Sequence, residues 1–202
     1  MATHMANKGL MGIGTLIIFI AIIIVAAVAS VVLISTSGSL EQQALTTGKG
    51  TQEEVSTGAR AFSVIASDAS DVRTVDHFEM MLRLSSGSEA IKFSNTIITI
   101  DTYNSSSELV FGEVVNSSNT SSDNSSNTSS GTYDVQYLTT ALAYEGGYFN
   151  IGDVVKIIFD TGFPIGEREV VRIQLIPEAG QLTHLEFITP TAMTRKRIFV
   201  YP

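Results

Sequence analysis

The sequence predicts an α+β protein, with one long N-terminal hydrophobic helix followed by an antiparallel β-sandwich. Three observations carry this. Leu10 to Ile34, LMGIGTLIIFIAIIIVAAVASVVLI, holds no charge, and its hydroxyl residues are Thr15 and Ser30 alone. From Ala59 onward the apolar period changes to two: Phe78, Met80, Leu82 and Leu84 alternate with His77, Glu79, Met81 and Arg83. Turn-forming clusters then separate short apolar runs, at Ser85-Ser86-Gly87-Ser88, Glu145-Gly146-Gly147, Thr161-Gly162-Phe163-Pro164 and Pro177-Glu178-Ala179-Gly180.

Residues Met1 to Gly9 are polar, with Lys8 directly before the apolar run. As a helix, Leu10–Ile34 would be roughly 37 Å long, enough to cross a hydrocarbon layer of about 30 Å. An ordinary secretory signal has a shorter apolar segment, although Ala26-Ala27-Val28-Ala29-Ser30 offers small residues that a conventional signal peptidase would accept. In lipid or a dry core the backbone must pair within its own segment, which makes this run helical despite its Ile and Val content. Beyond Ile34 a thinner stripe of Leu40, Ala44 and Leu45 extends the helix to about Thr47. Gly48-Lys49-Gly50 is expected to break or kink it, with Gln52–Val55 adding a further turn or two before Gly58.

Strands are expected at residues 61–66, 77–84, 96–102, 109–115, 133–138, 154–160, 170–176, 185–189 and 198–201. Between the fourth and fifth lies a low-complexity stretch, Asn116 to Ser130, too polar to bury itself and so an exposed loop. It carries N-glycosylation sequons at Asn116, Asn119, Asn124 and Asn127, with another at Asn104. Four in one loop point to glycan attachment if the segment lies outside the cytoplasm; the alternative is an unmodified flexible loop.

The formal net charge of −8, with 12 Lys and Arg in 202 residues, argues against a nucleic-acid partner. The absence of cysteine removes disulfides, thiolate metal sites and a cysteine nucleophile. His4, His77 and His184 are isolated, and no HExxH or GxSxG pattern occurs. Gly48-Lys49-Gly50-Thr51 lacks the upstream glycine of a phosphate loop and has Gly50 where Ser or Thr should follow the lysine. No enzyme and no cofactor is expected. Asp68 and Asp71 in a turn, with Asp153 and Asp160 flanking a strand, offer oxygen ligands for a structural Ca²⁺, but solvated turns are the plainer reading. Arg195-Lys196-Arg197 is the densest basic cluster; it would blunt an exposed strand edge or meet an acidic surface on a neighbouring copy.

Lys8-Gly9 followed by Leu10-Met11-Gly12-Ile13-Gly14-Thr15-Leu16, continuing through Ser35–Ala44, resembles the start of an archaeal flagellin (archaellin), a type IV pilin-like filament subunit. The resemblance covers about the first quarter closely. Bacterial pilins usually carry Glu at the fifth mature position, where this chain has Gly14, which favours the archaeal family. The resemblance implies an immunoglobulin-like sandwich and a class III leader, residues 1–9. A prepilin-type peptidase would cut between Gly9 and Leu10. Residues 10–57 would then form the filament-core helix and 58–202 the outer domain. It further implies a membrane-resident precursor, extraction by ATP-driven assembly machinery, and a helical homopolymer outside the cell, in which a second archaellin could take part. A rotary motor would turn that filament for swimming. Gly12, Gly14, Phe19, Ala26 and Ala27 are the candidate packing positions, the small ones because they permit close backbone approach. The alternative is a membrane-anchored or pilus-type adhesin presenting its sandwich as a binding module; a membrane-anchored enzyme has no supporting motif.

Overall fold

The computed structural model describes the backbone of residues 2–69, 73–115, 130–142 and 144–202, with side chains from Gly12 onward. Helix α1 spans Ala2–Ser56. Among the described residues eleven strands follow: β1 Ala59–Ala66, β2 Val75–Leu84, β3 Ile91–Lys92, β4 Ile97–Asp101, β5 Ser106–Val114, β6 Thr132–Thr139, β7 Tyr148–Phe149, β8 Val154–Ile165, β9 Val170–Ile176, β10 Thr183–Ile188 and β11 Ile198–Tyr201. The chain divides into two compact units, residues 1–50 and 51–202.

The expected break at Gly48-Lys49-Gly50 does not occur; α1 runs through it to Ser56. Each glycine costs about 1 kcal/mol against alanine in a helix, but extending an existing helix needs no new nucleus, so helical residues on both sides carry the segment. Its hydroxyls bond back to the preceding turn, Thr36 Oγ1 to the Val32 carbonyl at 2.8 Å and Thr46 Oγ1 to that of Gln42 at 2.9 Å.

In the second unit nine strands pair in the order β10-β9-β4-β5-β6-β8-β2-β1-β11, while β3 and β7 form a separate two-stranded ribbon. Alternation decides which face is buried. Val155, Ile157 and Phe159 of β8 point inward, as do Val171, Ile173 and Leu175 of β9, Ile98 and Ile100 of β4, and Phe78, Met80 and Leu82 of β2. The two ends of the strand order fold over each other. Phe187 of β10 meets Phe78 of β2 with ring centroids 6.3 Å apart, and Thr183 Oγ1 of β10 donates to the Ala59 carbonyl of β1 at 2.7 Å. Two apolar faces thus close on one core, as a sandwich requires. Removing one of its large members, such as Phe159, would cost about 3–5 kcal/mol.

All nine expected strands are present, and every pairing is antiparallel except β5 with β6, which is parallel. The predicted turn at Thr161-Gly162-Phe163-Pro164 is instead strand. β8 continues to Ile165 through a register shift against β2. Gly162 takes the kink at φ 73°, and Thr161 Oγ1 donates to the Phe163 carbonyl at 2.6 Å. β3, β7 and the 3₁₀ turn at Phe93–Asn95 are not among the expected elements. They are too short for a period to show. Tyr133 holds that turn from beneath, its hydroxyl within 2.9 Å of both the Phe93 and the Thr96 carbonyls. Burial pushes the Tyr133 phenol well above its ordinary pKa.

Candidate functional site

The apolar part of α1 has no inward face. Fifteen large aliphatic and aromatic side chains from Ile13 to Ile34 are all exposed, between 48% for Ile20 and 73% for Ile34. A surface helix of a globular domain shows one apolar stripe; one apolar around its whole circumference is buried in its working state. Each such side chain taken fully out of water is worth about 1.5–3 kcal/mol, so fifteen of them left in water would be strongly unfavourable. Residues Gly12–Ser56 include a stretch with mean hydropathy 3.4, long and apolar enough to cross a membrane.

The few polar side chains in the run need no outside partner. Thr15 Oγ1 donates to the Gly12 carbonyl at 2.9 Å and Ser30 Oγ to the Ala26 carbonyl at 2.8 Å. Both hydroxyls are therefore compatible with a dry surrounding. Ile18, Ala21, Ile22, Val25, Ala26 and Ala29 line a shallow open depression along one face. These positions recur at intervals of three and four, so the alanines leave a hole between larger neighbours into which a side chain of another helix can enter. Among the proposed packing positions, Phe19 is 61% exposed, and Ala26 and Ala27 are also exposed. A Cβ added at Gly12 or Gly14 would meet nothing within 4 Å, so nothing in the single chain requires glycine there. Lys8, Gly9 and Leu10 lie in the helical backbone of α1, and their side chains are outside the described residues.

Of the sequons, Asn104 is described and exposed, in the tight β4–β5 turn. That turn is fixed by Thr102 N donating to the Ser105 carbonyl at 2.8 Å and by Ser105 N donating to Thr102 Oγ1 at 3.1 Å. Asn104 therefore stands on a rigid support at the rim of an open cleft that also holds Asp101, Tyr103 and Arg168. Asn116, Asn119, Asn124 and Asn127 lie outside the described residues.

The carboxylates considered for Ca²⁺ have other work. Asp153, buried, accepts the Ala141 N–H at 2.6 Å through one oxygen and the Asn150 N–H at 2.9 Å through the other. Asp160 accepts the Gly162 N–H at 2.9 Å. Asp68 is described and Asp71 is not. Among the described residues no three histidine or carboxylate side chains are grouped as a metal would require. The basic cluster separates into unlike parts. Arg197 Nη2 lies 2.6 Å from Glu79 Oε2, which is also 3.6 Å from Lys156 Nζ, whereas Arg195 and Lys196 are exposed. Gly48-Lys49-Gly50 is mid-helix backbone, not a phosphate-binding loop.

Sequence patterning missed the two clamps, Asp153 and Glu79. An Asp three residues after Asn150 in a Gly-containing turn was the available signal for the first. Nothing marked the second, since Glu79 sits on the strand's polar face and its burial depends on two cations that only the fold brings near.

The sequence matches the family model for archaeal-type flagellin over residues 9–187. It is similar to flagellin B2 of Methanocaldococcus jannaschii, 34% identical over 199 residues, covering 92% of this chain and 91% of that protein. It is also similar to flagellin B1 of Methanococcus voltae, 35% identical, with 94% of each chain covered. In fold it resembles the crystal structure of archaeal flagellin FlaB1 from M. jannaschii, at TM-score 0.64 and 22% identity, covering 72% of this chain and 97% of that one. The archaeal flagellum of Methanospirillum hungatei strain JF1 matches at TM-score 0.68 and 13% identity, over 95% of this chain and 99% of that one.

Proposed function

Because the chain belongs to the archaeal-type flagellin family, we propose that α1 is first a membrane helix and then, once cut free, the core of a filament. The chain is a structural subunit of the archaellum, the extracellular filament of motility, and it assembles with copies of itself. It is not an enzyme, and membership of this family does not favour the anchored-adhesin alternative.

The observation that carries the reading is a helix whose large apolar side chains are exposed on every side. Lipid satisfies that surface in the precursor, and other copies of the helix satisfy it in the polymer. Exchanging one apolar surrounding for another changes net burial little, so the gain comes from close packing of helix on helix, where small side chains admit a neighbour. Gly12, Gly14, Ala26 and Ala27 supply close approach and Phe19 a large knob. A prepilin-type peptidase cutting between Gly9 and Leu10, after Lys8, removes the polar leader 1–9 that would otherwise be drawn into the apolar core. Residues 10–57 then form the core helix and 58–202 the outer domain. Extraction against lipid requires an ATP-driven machine, and rotation a membrane motor, which are separate partners; a second archaellin can share the lattice. Asn104 and the four sequons within residues 116–130 are the sites for N-linked glycan.

The absence of cysteine makes the core directly testable. Single cysteines introduced as Val25→Cys, Ala26→Cys and Ala27→Cys sample three directions around α1, each about 100° from the next. A short bismaleimide should join subunits in filaments at one or more of these positions and leave detergent-dispersed chains uncoupled. Filaments that sediment normally yet couple at none of the three would reject the helix core. Mass spectrometry of the native protein finding only bare peptide at Asn104 and across 116–130 would reject the glycan assignment.

A further inference from the structure

We propose that Arg60 and Arg83, with the hydroxyls of Ser85 and Ser86, form a receptor for carboxylates of a second copy of this chain, and so make a charged contact between outer domains. The inference rests on the filament reading and adds to it a partner surface.

Arg60 of β1 and Arg83 of β2 stand directly opposite each other in antiparallel register, and both are exposed. Opposed residues on neighbouring strands share a face, with Cβ atoms about 5 Å apart, and like charges placed so repel. In a chain with 20 acidic residues against 12 basic ones, a carboxylate beside this pair would be the ordinary remedy. Among the described residues neither arginine has an ion pair. Other cations on or beside strands of this unit have partners: Arg172 meets Glu186 at 2.8 Å, Arg197 meets Glu79 at 2.6 Å, Lys156 lies 3.6 Å from the same Glu79, and Lys92 lies 5.6 Å from the centre of the Tyr148 ring.

The surroundings are concave and held in place. Arg60, Arg83, Leu84, Ser85 and Ser86 line an open depression of about 340 Å³. Its floor turn, Ser85 to Ser88, closes through Ser88 N donating to the Ser85 carbonyl at 3.2 Å, with Gly87 at φ 86°. Ser88, buried beneath it, accepts the Gly58 N–H at 3.0 Å, and Ser85 N donates to the Gly58 carbonyl at 2.8 Å. Two guanidinium forks beside two hydroxyl donors on a braced turn fit paired or bidentate carboxylates, where Arg geometry is most selective. The excess acidic surface of the next copy supplies that chemistry. Donor site and acidic surface are different patches of one domain, so their union is head-to-tail and open, the kind of contact that propagates along a filament.

The test uses the full chain assembled into filaments. Arg60→Lys and Arg83→Lys each place an amine at the site, and a carbodiimide joins an amine only to a carboxylate in direct contact. Coupling should give inter-subunit dimers whose cross-linked peptide runs from position 60 or 83 to a Glu or Asp of another copy. The paired reversal Arg60→Glu with Arg83→Glu should make filaments dissociate at a several-fold lower subunit dilution in low salt, with the difference shrinking as salt is raised. No inter-subunit product from either lysine variant, together with wild-type dilution behaviour of the double reversal, overturns the proposal. Protection of Arg60 and Arg83 from phenylglyoxal by millimolar inorganic phosphate in dispersed, unassembled wild-type chains would assign the site to a small anion instead and likewise overturn it. A wild-type chain that forms no filaments at all would instead reject the filament reading itself.

Discussion

Asp153→Ala should unfold the outer domain at a markedly lower temperature while leaving α1 helical. The Asp153 carboxylate is 1% exposed and supplies acceptors to two backbone N–H groups, Ala141 at 2.6 Å and Asn150 at 2.9 Å. Through them it ties the segment after β6 to the segment before β8. The Ala141 Cβ lies 3.4 Å from where a Cβ at Gly152 would stand, so little room remains for water to take the carboxylate's place. Hydrogen bonds to a charged group contribute about 1.5–3 kcal/mol each, and a buried donor left unpaired loses most of that. Two such losses, reduced by relaxation of a surface loop, come to about 3 kcal/mol. For a unit of this size that lowers the melting temperature by roughly 6–12 °C. The assay is near-ultraviolet circular dichroism of the full chain in detergent. There is no tryptophan, and all six tyrosines lie between residues 103 and 201, so the signal belongs to the outer unit. Asp153→Asn keeps one acceptor oxygen but turns an amide donor toward the other N–H, and should recover less than half of the loss. A melting temperature for Asp153→Ala within 1 °C of wild type would show that the clamp contributes nothing.

Tyr137 and Tyr133 make the domain sensitive to alkali. Burial pushes the Tyr137 phenol from 10.0 up to about 12, and pushes Tyr133 up further. Above pH 10 the unfolded chain ionises these groups while the folded chain keeps them protonated, so the unfolded state holds fewer protons and stability falls as pH rises. Their contribution should be intact below pH 10 and lost through about pH 12; urea midpoints at pH 9, 10.5 and 12 check this, and Tyr137→Phe should flatten the decline. Glu79→Ala leaves Arg197 and Lys156 without their shared carboxylate at one end of the strand order. The side chain of Arg197 is half exposed, so the cost is set at about 2 kcal/mol, below the range for a fully buried pair. It should appear as faster amide exchange across β11, with β4 and β9 unchanged; uniform acceleration would contradict a local role. Desolvation, with Asp160 and Asp68 nearby, raises the Asp76 pKa, so Asp76→Asn should raise stability at pH 7 and lose that advantage in acid, as read from urea midpoints at pH 7 and 3.

Much of this architecture can be read from periodicity alone. Leu10–Ile34 announces its helix by length and absence of charge, and β8 and β9 announce themselves by strict alternation of Val155, Ile157 and Phe159, and of Val171, Ile173 and Leu175. What escapes is set by long-range pairing. Gly162 and Pro164 read as a turn because their local chemistry is that of a turn, yet β2 recruits the segment into β8 through a bulge. The parallel pairing of β5 with β6 joins segments flanking the 116–130 stretch, and no local pattern encodes it. Gly48 and Gly50 read as a break because propensity counts residues singly, whereas a helix propagates cooperatively. The candidate site divides the same way. The circumferentially apolar helix is plain in the sequence. The opposed Arg60 and Arg83 are invisible until strand register is known.

The most direct test of a helix freed from the membrane to become a filament core is the N-terminus of the assembled protein. Intact-mass and N-terminal sequencing of subunits dissociated from purified surface filaments should give a chain beginning at Leu10, with residues 1–9 absent, and Gly9→Val should abolish both the cut and the filaments. Filaments built from chains that retain Met1–Gly9, or that begin after Ala29 and so lack most of α1, would contradict it.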